Sequence, residues 1–379
     1  MQAPAAPHAG GLLVAAPTRS LEWPGMYVVI MAGGGGTRLW PLSSPERPKP
    51  FLPLFPDGTL FQKTIARLLG PELDLEISDV TVVAAGRYAA LARAQAPGVG
   101  LLEEPDGRNT AAAVALATVA IDRPEDEVMV VLPADHLIEH EDVFRGVLRD
   151  AAGGMARGAF GVETPLVTLG VQADRPATEY GYLIPRFAEG RVVHGLQAYP
   201  LERFEEKPDE TRAAQLLDQP GVAWNAGMFV WQRRAIRTAL ATSAPDILET
   251  IERGLAGGDV RGAYASVRST SIDYAVMEPA SVAGQVAMGA MDVGWSDLGS
   301  WTALLEALGG VGGGRVVQAG ESAEAGPADL VVERVGGELG LREGPRSILA
   351  QTPVALLAGA RPGREVVERL LERVARQET

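Results

Sequence analysis

Val28-Val29-Ile30-Met31-Ala32-Gly33-Gly34-Gly35-Gly36-Thr37-Arg38-Leu39-Trp40-Pro41-Leu42-Ser43 is a short apolar, β-like run that ends in four glycines and an arginine. Glycines at a strand end let the backbone approach a bulky anion and turn its N–H groups inward. Arg38, and Lys49 shortly after, are placed to hold phosphate oxygens through charge-assisted hydrogen bonds. A tight strand-to-helix turn with a solvated arginine would account for the glycines alone. The tail Arg-Leu-Trp-Pro-Leu-Ser, followed by Arg47-Pro48-Lys49-Pro50, is more than such a turn needs. Spacing excludes two familiar phosphate loops. No register supplies the Gly-Lys-Ser/Thr of a P-loop. A Gly-x-Gly-x-x-Gly dinucleotide fingerprint beginning at Gly33 or Gly34 ends on Arg38 or Leu39 instead of glycine.

Working outward, strand-like runs recur at Tyr27–Met31, Val80–Ala84, Val128–Leu132 and Leu166–Gly170. Helical patterns lie between them. Leu60, Phe61, Thr64, Ile65, Leu68 and Leu69 share a helical face closed by Gly70, and an Ala-rich helix follows Asn109-Thr110, either of which could cap it. Alternation of strand and helix predicts an α/β fold, a doubly wound and mainly parallel, Rossmann-like sheet covered on both faces. Ligands bind beyond the carboxyl ends of such strands, where both the glycine loop and Pro133-Ala134-Asp135-His136 fall.

Past Leu308, Gly309–Arg315 reads as a linker, with β-like runs at Leu330–Val332 and Ser347–Leu349. Glu365–Gln377 has Val366, Val367, Leu370, Leu371 and Val374 at helical spacing. The expected organisation is a disordered extension over 1–25, a catalytic domain over 26–308, and a small β-rich region over 310–379 closed by a terminal helix.

Composition narrows the function. A chain of 379 residues buries a large core. A net charge of −14 argues against a general nucleic-acid or anionic-membrane binder but leaves room for a phosphorylated small substrate. The absence of cysteine removes disulfides, thiolate metal sites and cysteine nucleophiles, and fits a cytoplasmic enzyme. No apolar run approaches the ~20 residues of a membrane span.

Three further constellations carry chemistry. Asp135 follows an apolar strand in Val-Val-Leu-Pro-Ala-Asp-His, where a carboxylate could meet a Mg²⁺ carrying nucleotide phosphates, or simply cap the next helix. Asp297, in Gly294-Trp295-Ser296-Asp297-Leu298-Gly299-Ser300-Trp301, offers a second carboxylate in a tightly packed turn. Phe204-Glu205-Glu206-Lys207-Pro208 places a lysine suited to a sugar phosphate beside a hydroxyl acceptor, although a solvated loop would look the same. Tyr180-Gly181-Tyr182, Trp224-Asn225-Ala226-Gly227-Met228-Phe229 and Ser271-Ile272-Asp273-Tyr274 supply walls and polar groups for a pocket around a polar ring. His136-Leu137-Ile138-Glu139-His140 matches a zinc-protease pattern, but that motif needs both histidines on one helix face, and His136 is tied to a strand end.

In this order the phrases resemble the sugar-phosphate nucleotidyltransferases, whose Gly-Gly-x-Gly-(Thr)-Arg-Leu-x-Pro-Leu-(Ser/Thr) signature is met at every defined position from Gly33 to Ser43. Glu104-Pro105-x-Gly107-Arg108-Asn109-Thr110-Ala111, Ser271–Tyr274 and Gly294–Trp301 point to the mannose/GDP branch over the glucose/dTDP and glucose/UDP branches. The resemblance spans about Met26 to Trp301. It implies a doubly wound nucleotide-binding domain with a β-helical C-terminal part, and transfer of GMP from GTP to α-D-mannose 1-phosphate with release of pyrophosphate. It assigns the triphosphate to Gly33, Gly34, Gly35, Gly36, Thr37 and Arg38 with Lys49, and the nucleobase to Arg108, Asn109 and Thr110. Lys207 would grip the sugar phosphate, with Gly181, Glu206, Asn225 and Asp273 around the sugar, and Asp135 and Asp297 would bind Mg²⁺.

Partners implied are GTP and mannose 1-phosphate, with a second copy of the chain as a candidate. The resemblance stops at residues 310–379, where longer relatives carry a regular β-helix or an isomerase domain. The alternatives are the same chemistry on glucose 1-phosphate with dTTP or UTP, and a non-catalytic GDP-mannose sensor. A sensor has little reason to keep Arg38, Lys49, Asp135, Lys207 and Asp297 together.

Overall fold

The computed structural model describes residues 25–34, 39, 42–300, 303–304, 307–308, 316–318, 330–335, 338–343, 370 and 373. Gly35, Gly36, Thr37 and Arg38 lie outside them, as do residues 1–24, the Gly309–Arg315 linker, the Ser347–Leu349 run and all of the terminal helix except Leu370 and Arg373.

The first half is built from β1 (Met26–Met31), β2 (Val80–Ala85), β3 (Gly100–Glu104) and β4 (Val128–Pro133), joined through α1 (Leu60–Leu68), α2 (Ala89–Gln95) and α3 (Asn109–Ala120). All three strand pairings are parallel, in the order β3-β2-β1-β4. Val28, Val29 and Ile30 are wholly buried because helices cover both faces, so β1 is apolar throughout instead of alternating. Val28 and Ile30 enter one core, and Tyr27 and Val29 the other. Thr59 begins α1 with a capping box, its hydroxyl accepting from Gln62 N while the Gln62 side chain accepts from Thr59 N. α3 is buried along Ala111–Thr118, which explains why its apolar residues show no preferred face.

Beyond β4, the short β5 (Leu137–Ile138) leaves the main sheet and α4 (Glu141–Gly153) follows. The sheet continues with β6 (Leu166–Gln172), β7 (Tyr182–Pro185), β8 (Arg191–Val193), β9 (Leu196–Glu205), β10 (Ala223–Gln232) and β11 (Val286–Ala290). Its ten strands run in the order β3-β2-β1-β4-β10-β6-β11-β9-β7, with β8 beside β9. Here the expectation of a mainly parallel sheet needs correction. β10 is antiparallel to both β4 and β6, and β9 is antiparallel to β11 and β7; only β6 and β11 pair in parallel. β10 sits mid-sheet and is largely buried, so it reads as the same apolar run a parallel strand would give.

The helices of this half are α5 (Glu210–Leu217), α6 (Arg233–Ser243), α7 (Pro245–Gly257), α8 (Val260–Ser266) and α9 (Glu278–Val282). β12 (Trp295–Ser296) returns to pair antiparallel with β5. In the C-terminal region, β13 (Val316–Gln318), β14 (Leu330–Val335) and β15 (Glu338–Glu343) form a separate three-stranded sheet. Among the described residues no helix is long and apolar enough to cross a membrane.

The strand order turns back between β1 and β4, which is where a doubly wound sheet opens a crevice. Met31 lies opposite Pro133 in the register, so the glycine loop and Asp135 leave adjacent strands side by side.

Candidate functional site

Lys49 sits in a single 3₁₀ turn, Lys49–Phe51, after Pro48. The structure buries it to 3% exposure. Its ammonium pairs with Asp135 Oδ2 at 2.8 Å and donates to the carbonyl of Asp297 at 2.5 Å. The β5–β12 pairing is what brings Asp297 here, because Leu137 and Ser296 lie opposite one another directly beside the two acidic turns. Asp297 is fixed further by the Tyr180 hydroxyl, which donates to Oδ1 at 2.9 Å, and by Gly299 N at 3.0 Å. Lys49 is thus engaged by the acidic turns, while Asp135 and Asp297 line the cavity beside it.

His136 also faces that cavity. Trp295 Nε1 donates to its Nδ1 at 3.1 Å, and burial pushes its pKa down to about 4. Its ring is therefore neutral with the proton on Nε2. The zinc-protease pattern finds no support in the geometry: β5 separates His136 from α4, so the two histidines do not share a helix face.

The Arg108–Thr110 segment starts α3 in an unexpected way. Neither Asn109 nor Thr110 caps the helix; the cap position is Arg108, without a side-chain cap bond. Asn109 has φ of 65°, in the left-handed region that asparagine tolerates, and its Oδ1 accepts from Thr110 N. The Thr110 hydroxyl is used to accept from Ile272 N at 2.8 Å, and Arg108 Nη2 donates to Ala265 O at 2.9 Å. The loop is so tethered to α8 and to the segment after it.

Asn225 is aimed by a bulge in β10, where the register shifts between Asn225 and Phe229 and Gly227 takes a φ of 64°. Its Oδ1 accepts from Thr168 Oγ1 and Gly227 N, which leaves Nδ2 to donate to Asp273 Oδ1 at 2.9 Å. Burial, reinforced by the neighbouring Glu206 charge, pushes Asp273 up to about 7. Glu206 pairs with Lys207 at 3.0 Å, and the Lys207 side chain keeps about half of its surface in solvent. A Cβ on Gly181 would collide with Glu206 Oε2, so only glycine lets this carboxylate lie against the backbone.

One cavity of about 650 Å³ joins these groups. Its walls include Gly33, Gly34, Asn109 and Thr110, then Asp135 and Asp297, then Gly181, Glu206, Lys207, Asn225 and Asp273. Lys49 and Arg108 stand behind the walls, not in them. Among the described residues no three His, Asp or Glu side chains gather to hold a metal. The two hard carboxylates Asp135 and Asp297 nevertheless suit Mg²⁺, which takes few protein ligands and completes its shell with phosphate oxygens and water.

Two features of the site go beyond the sequence reading: the partner of Tyr180, already expected in the wall, and the place of Glu104. Tyr180 gave no sign that it serves Asp297, since the two are 117 residues apart. Glu104 opens the Glu104–Ala111 phrase without a role that the sequence assigns it, yet its side chain is buried and lines the cavity. Its only detectable signal was position, at the carboxyl end of a parallel strand.

Comparison with known proteins gives the family of the chain. A family model described as nucleotidyl transferase matches residues 27–311. Alginate biosynthesis protein AlgA of Pseudomonas putida is 39% identical over 294 residues, covering 74% of this chain and 58% of that one. Mannose-1-phosphate guanylyltransferase of Escherichia coli K12 is 38% identical over 300 residues, covering 74% and 59%. The chain thus spans less than two thirds of the length of these curated relatives. The crystal structure of mannose-1-phosphate geranyltransferase from Thermus thermophilus superposes with a TM-score of 0.66 at 31% identity, covering 93% of this chain and 99% of that one.

Proposed function

We propose that this chain, which belongs to the nucleotidyl transferase family, transfers GMP from GTP to α-D-mannose 1-phosphate and releases pyrophosphate. The observation that carries the reading is the single cavity, whose walls combine a glycine loop, two carboxylates and a lysine-bearing polar cluster. Its lining runs from Met31 to Asp297, which supports residues 26–308 as the catalytic unit.

In the reaction an oxygen of the sugar phosphate attacks the α-phosphorus in line. A new O–Pα bond forms as the bond from Pα to the bridging oxygen of pyrophosphate breaks. No general base is required, because a phosphate monoester is already ionised at neutral pH. Catalysis therefore rests on positioning and charge neutralisation. Gly33 and Gly34 present backbone to the triphosphate, and Arg38 adds positive charge to the leaving group. Lys207 takes the sugar phosphate, and Asn225, Asp273, Glu206 and Gly181 surround the sugar. Asn109 and Thr110 lie at the nucleobase, with Arg108 bracing them. Asp135 and Asp297 would hold Mg²⁺, which would supply charge neutralisation across the nucleotide phosphates. Lys49, charged and buried, orients these two acidic turns. A cytoplasmic setting fits a chain without cysteine.

Pyrophosphate release with Mg²⁺, testing mannose 1-phosphate and glucose 1-phosphate against GTP, ATP, UTP and dTTP, checks the reading. A maximum for mannose 1-phosphate with GTP is expected. A maximum for another pair would keep the chemistry and overturn the substrates, and no release by folded protein would overturn the reaction.

A further inference from the structure

Glu104 closes β3 with its side chain folded beneath the glycine loop, where its Oε2 lies 2.5 Å from the position a Cβ on Gly33 would take. It is 3% exposed. Its Oε1 accepts a hydrogen bond from the hydroxyl of Tyr264, a fully buried residue of α8, at 2.7 Å. Oε2 accepts no hydrogen bond among the described residues, although the side chain lines the cavity. Glu104 Oε2 is not among the buried side-chain atoms left without a partner; it is open to the cavity, where a ligand that supplies donors can meet it.

The chemistry of that ligand follows from the acceptor. Guanine carries N1–H and N2–H side by side, a pair that matches the two oxygens of one carboxylate. Uracil and thymine offer a single N–H between two carbonyl oxygens, which a carboxylate repels. Adenine offers an amino group beside a ring nitrogen that is itself an acceptor. Alongside Glu104, the loop through Arg108 and Thr110 is tied to Ala265 of α8 and to Ile272, so the helix that carries Tyr264 is anchored to that loop, with Tyr264 itself buried behind the cavity wall.

We propose that Tyr264 is the positioning residue for base selection, holding Glu104 so that its carboxylate accepts the N1–H and N2–H edge of guanine. The proposal rests on the reading of GTP as substrate. Without the hydroxyl, the carboxylate is free to turn away from the base, and nothing else among the described residues holds it.

Steady-state kinetics of the wild type, Tyr264→Phe and Glu104→Gln with GTP, ITP and UTP, at saturating mannose 1-phosphate, test it. ITP lacks only the 2-amino group. The wild type should prefer GTP to ITP by about tenfold or more, the worth of one charge-assisted hydrogen bond. In Tyr264→Phe the KM for GTP should rise about tenfold with kcat within about twofold, and the GTP-to-ITP preference should shrink toward unity. Glu104→Gln should lose that preference too, because its amide N–H₂ opposes the guanine donors. An unchanged GTP-to-ITP ratio in folded Tyr264→Phe overturns the proposal even if the KM moves. Should that variant fail to fold, an unchanged ratio in Glu104→Gln does the same. A wild type that ignores GTP altogether overturns the substrate reading first, a distinct result from a GTP-specific enzyme whose variants keep their selectivity.

Discussion

Replacing Lys49 with methionine removes a cation held 2.8 Å from Asp135 and 2.5 Å from the Asp297 carbonyl, and leaves a chain of similar volume. Removing one partner of a fully buried ion pair costs about 3–5 kcal/mol, against about 0–1 kcal/mol for an exposed pair. Lys49 is 4% exposed at its side chain, but Asp135 keeps 28%. The pair therefore falls between those limits, at about 2–3 kcal/mol, and the lost bond to the Asp297 carbonyl adds about 1 kcal/mol. At roughly 2–4 °C per kcal/mol for a domain of this size, the thermal midpoint should drop by roughly 6–16 °C. Circular-dichroism melts of wild type, Lys49→Met, Asp135→Asn and the double variant form a cycle that isolates the pair. The double variant should recover about 2 kcal/mol relative to the sum of the singles, and that coupling should be nearly indifferent to salt. Single effects that add within about 0.5 kcal/mol would refute the reasoning, since they would mean that the two groups do not depend on each other.

Three other perturbations bear on the same cavity. Asp297→Ala should cut turnover by at least about 100-fold, and should cost about 1–3 kcal/mol because the Tyr180 hydroxyl and Gly299 N lose their acceptor; near-normal pyrophosphate release would remove Asp297 from the site. Gly33→Ala places a methyl group 2.5 Å from Glu104 Oε2, on a carboxylate whose other oxygen accepts from the Tyr264 hydroxyl, so KM for the nucleotide should rise while KM for the sugar phosphate stays constant; a rise in both would count against a local clash. Asp273, raised to about 7 from 3.8, binds its proton more tightly in the folded chain. Its contribution to stability is thus complete below about pH 4 and is lost as pH rises through about 7. Asp273→Asn should gain stability over wild type at pH 8 relative to pH 5, and equal pH slopes in the two proteins would contradict the assigned shift.

How much of this was legible in the sequence differs sharply by range. Three of the four strands of the parallel half were, because strands buried on both faces leave uninterrupted apolar runs such as Val128–Leu132; β3, at the sheet edge and only partly buried, leaves no such run. The direction of β10 was not, since a strand buried mid-sheet carries the same apolar signature whichever way it runs. Asp135, Glu206, Lys207, Asp273 and Asp297 around the cavity were readable from their phrases, and Glu104 was not. Their partners were not, because each partnership spans a long stretch of chain: Tyr264 with Glu104 across 160 residues, Tyr180 with Asp297 across 117. Lys49 illustrates the limit best. Charge type and position suggested a phosphate ligand, whereas burial between two acidic turns makes it a strut for them. Asn109 shows the reverse lesson, that an asparagine before an apolar run can serve through its backbone angle instead of its side chain.

The strut has a consequence for how the protein is made. Lys49 and the carbonyl that receives it are 248 residues apart, and β12, which delivers that carbonyl to β5, is among the last pieces of the sheet region to be synthesised. At ribosomal rates of about 5–20 residues per second, Lys49 leaves the ribosome roughly 12–50 s before its acceptor does. The nascent N-terminal half has all four parallel strands and the glycine loop early, but the two cavity carboxylates are brought together only when Trp295–Ser296 pairs with β5. A ribosome-bound chain halted before that point would carry the cavity without one of its two acidic walls.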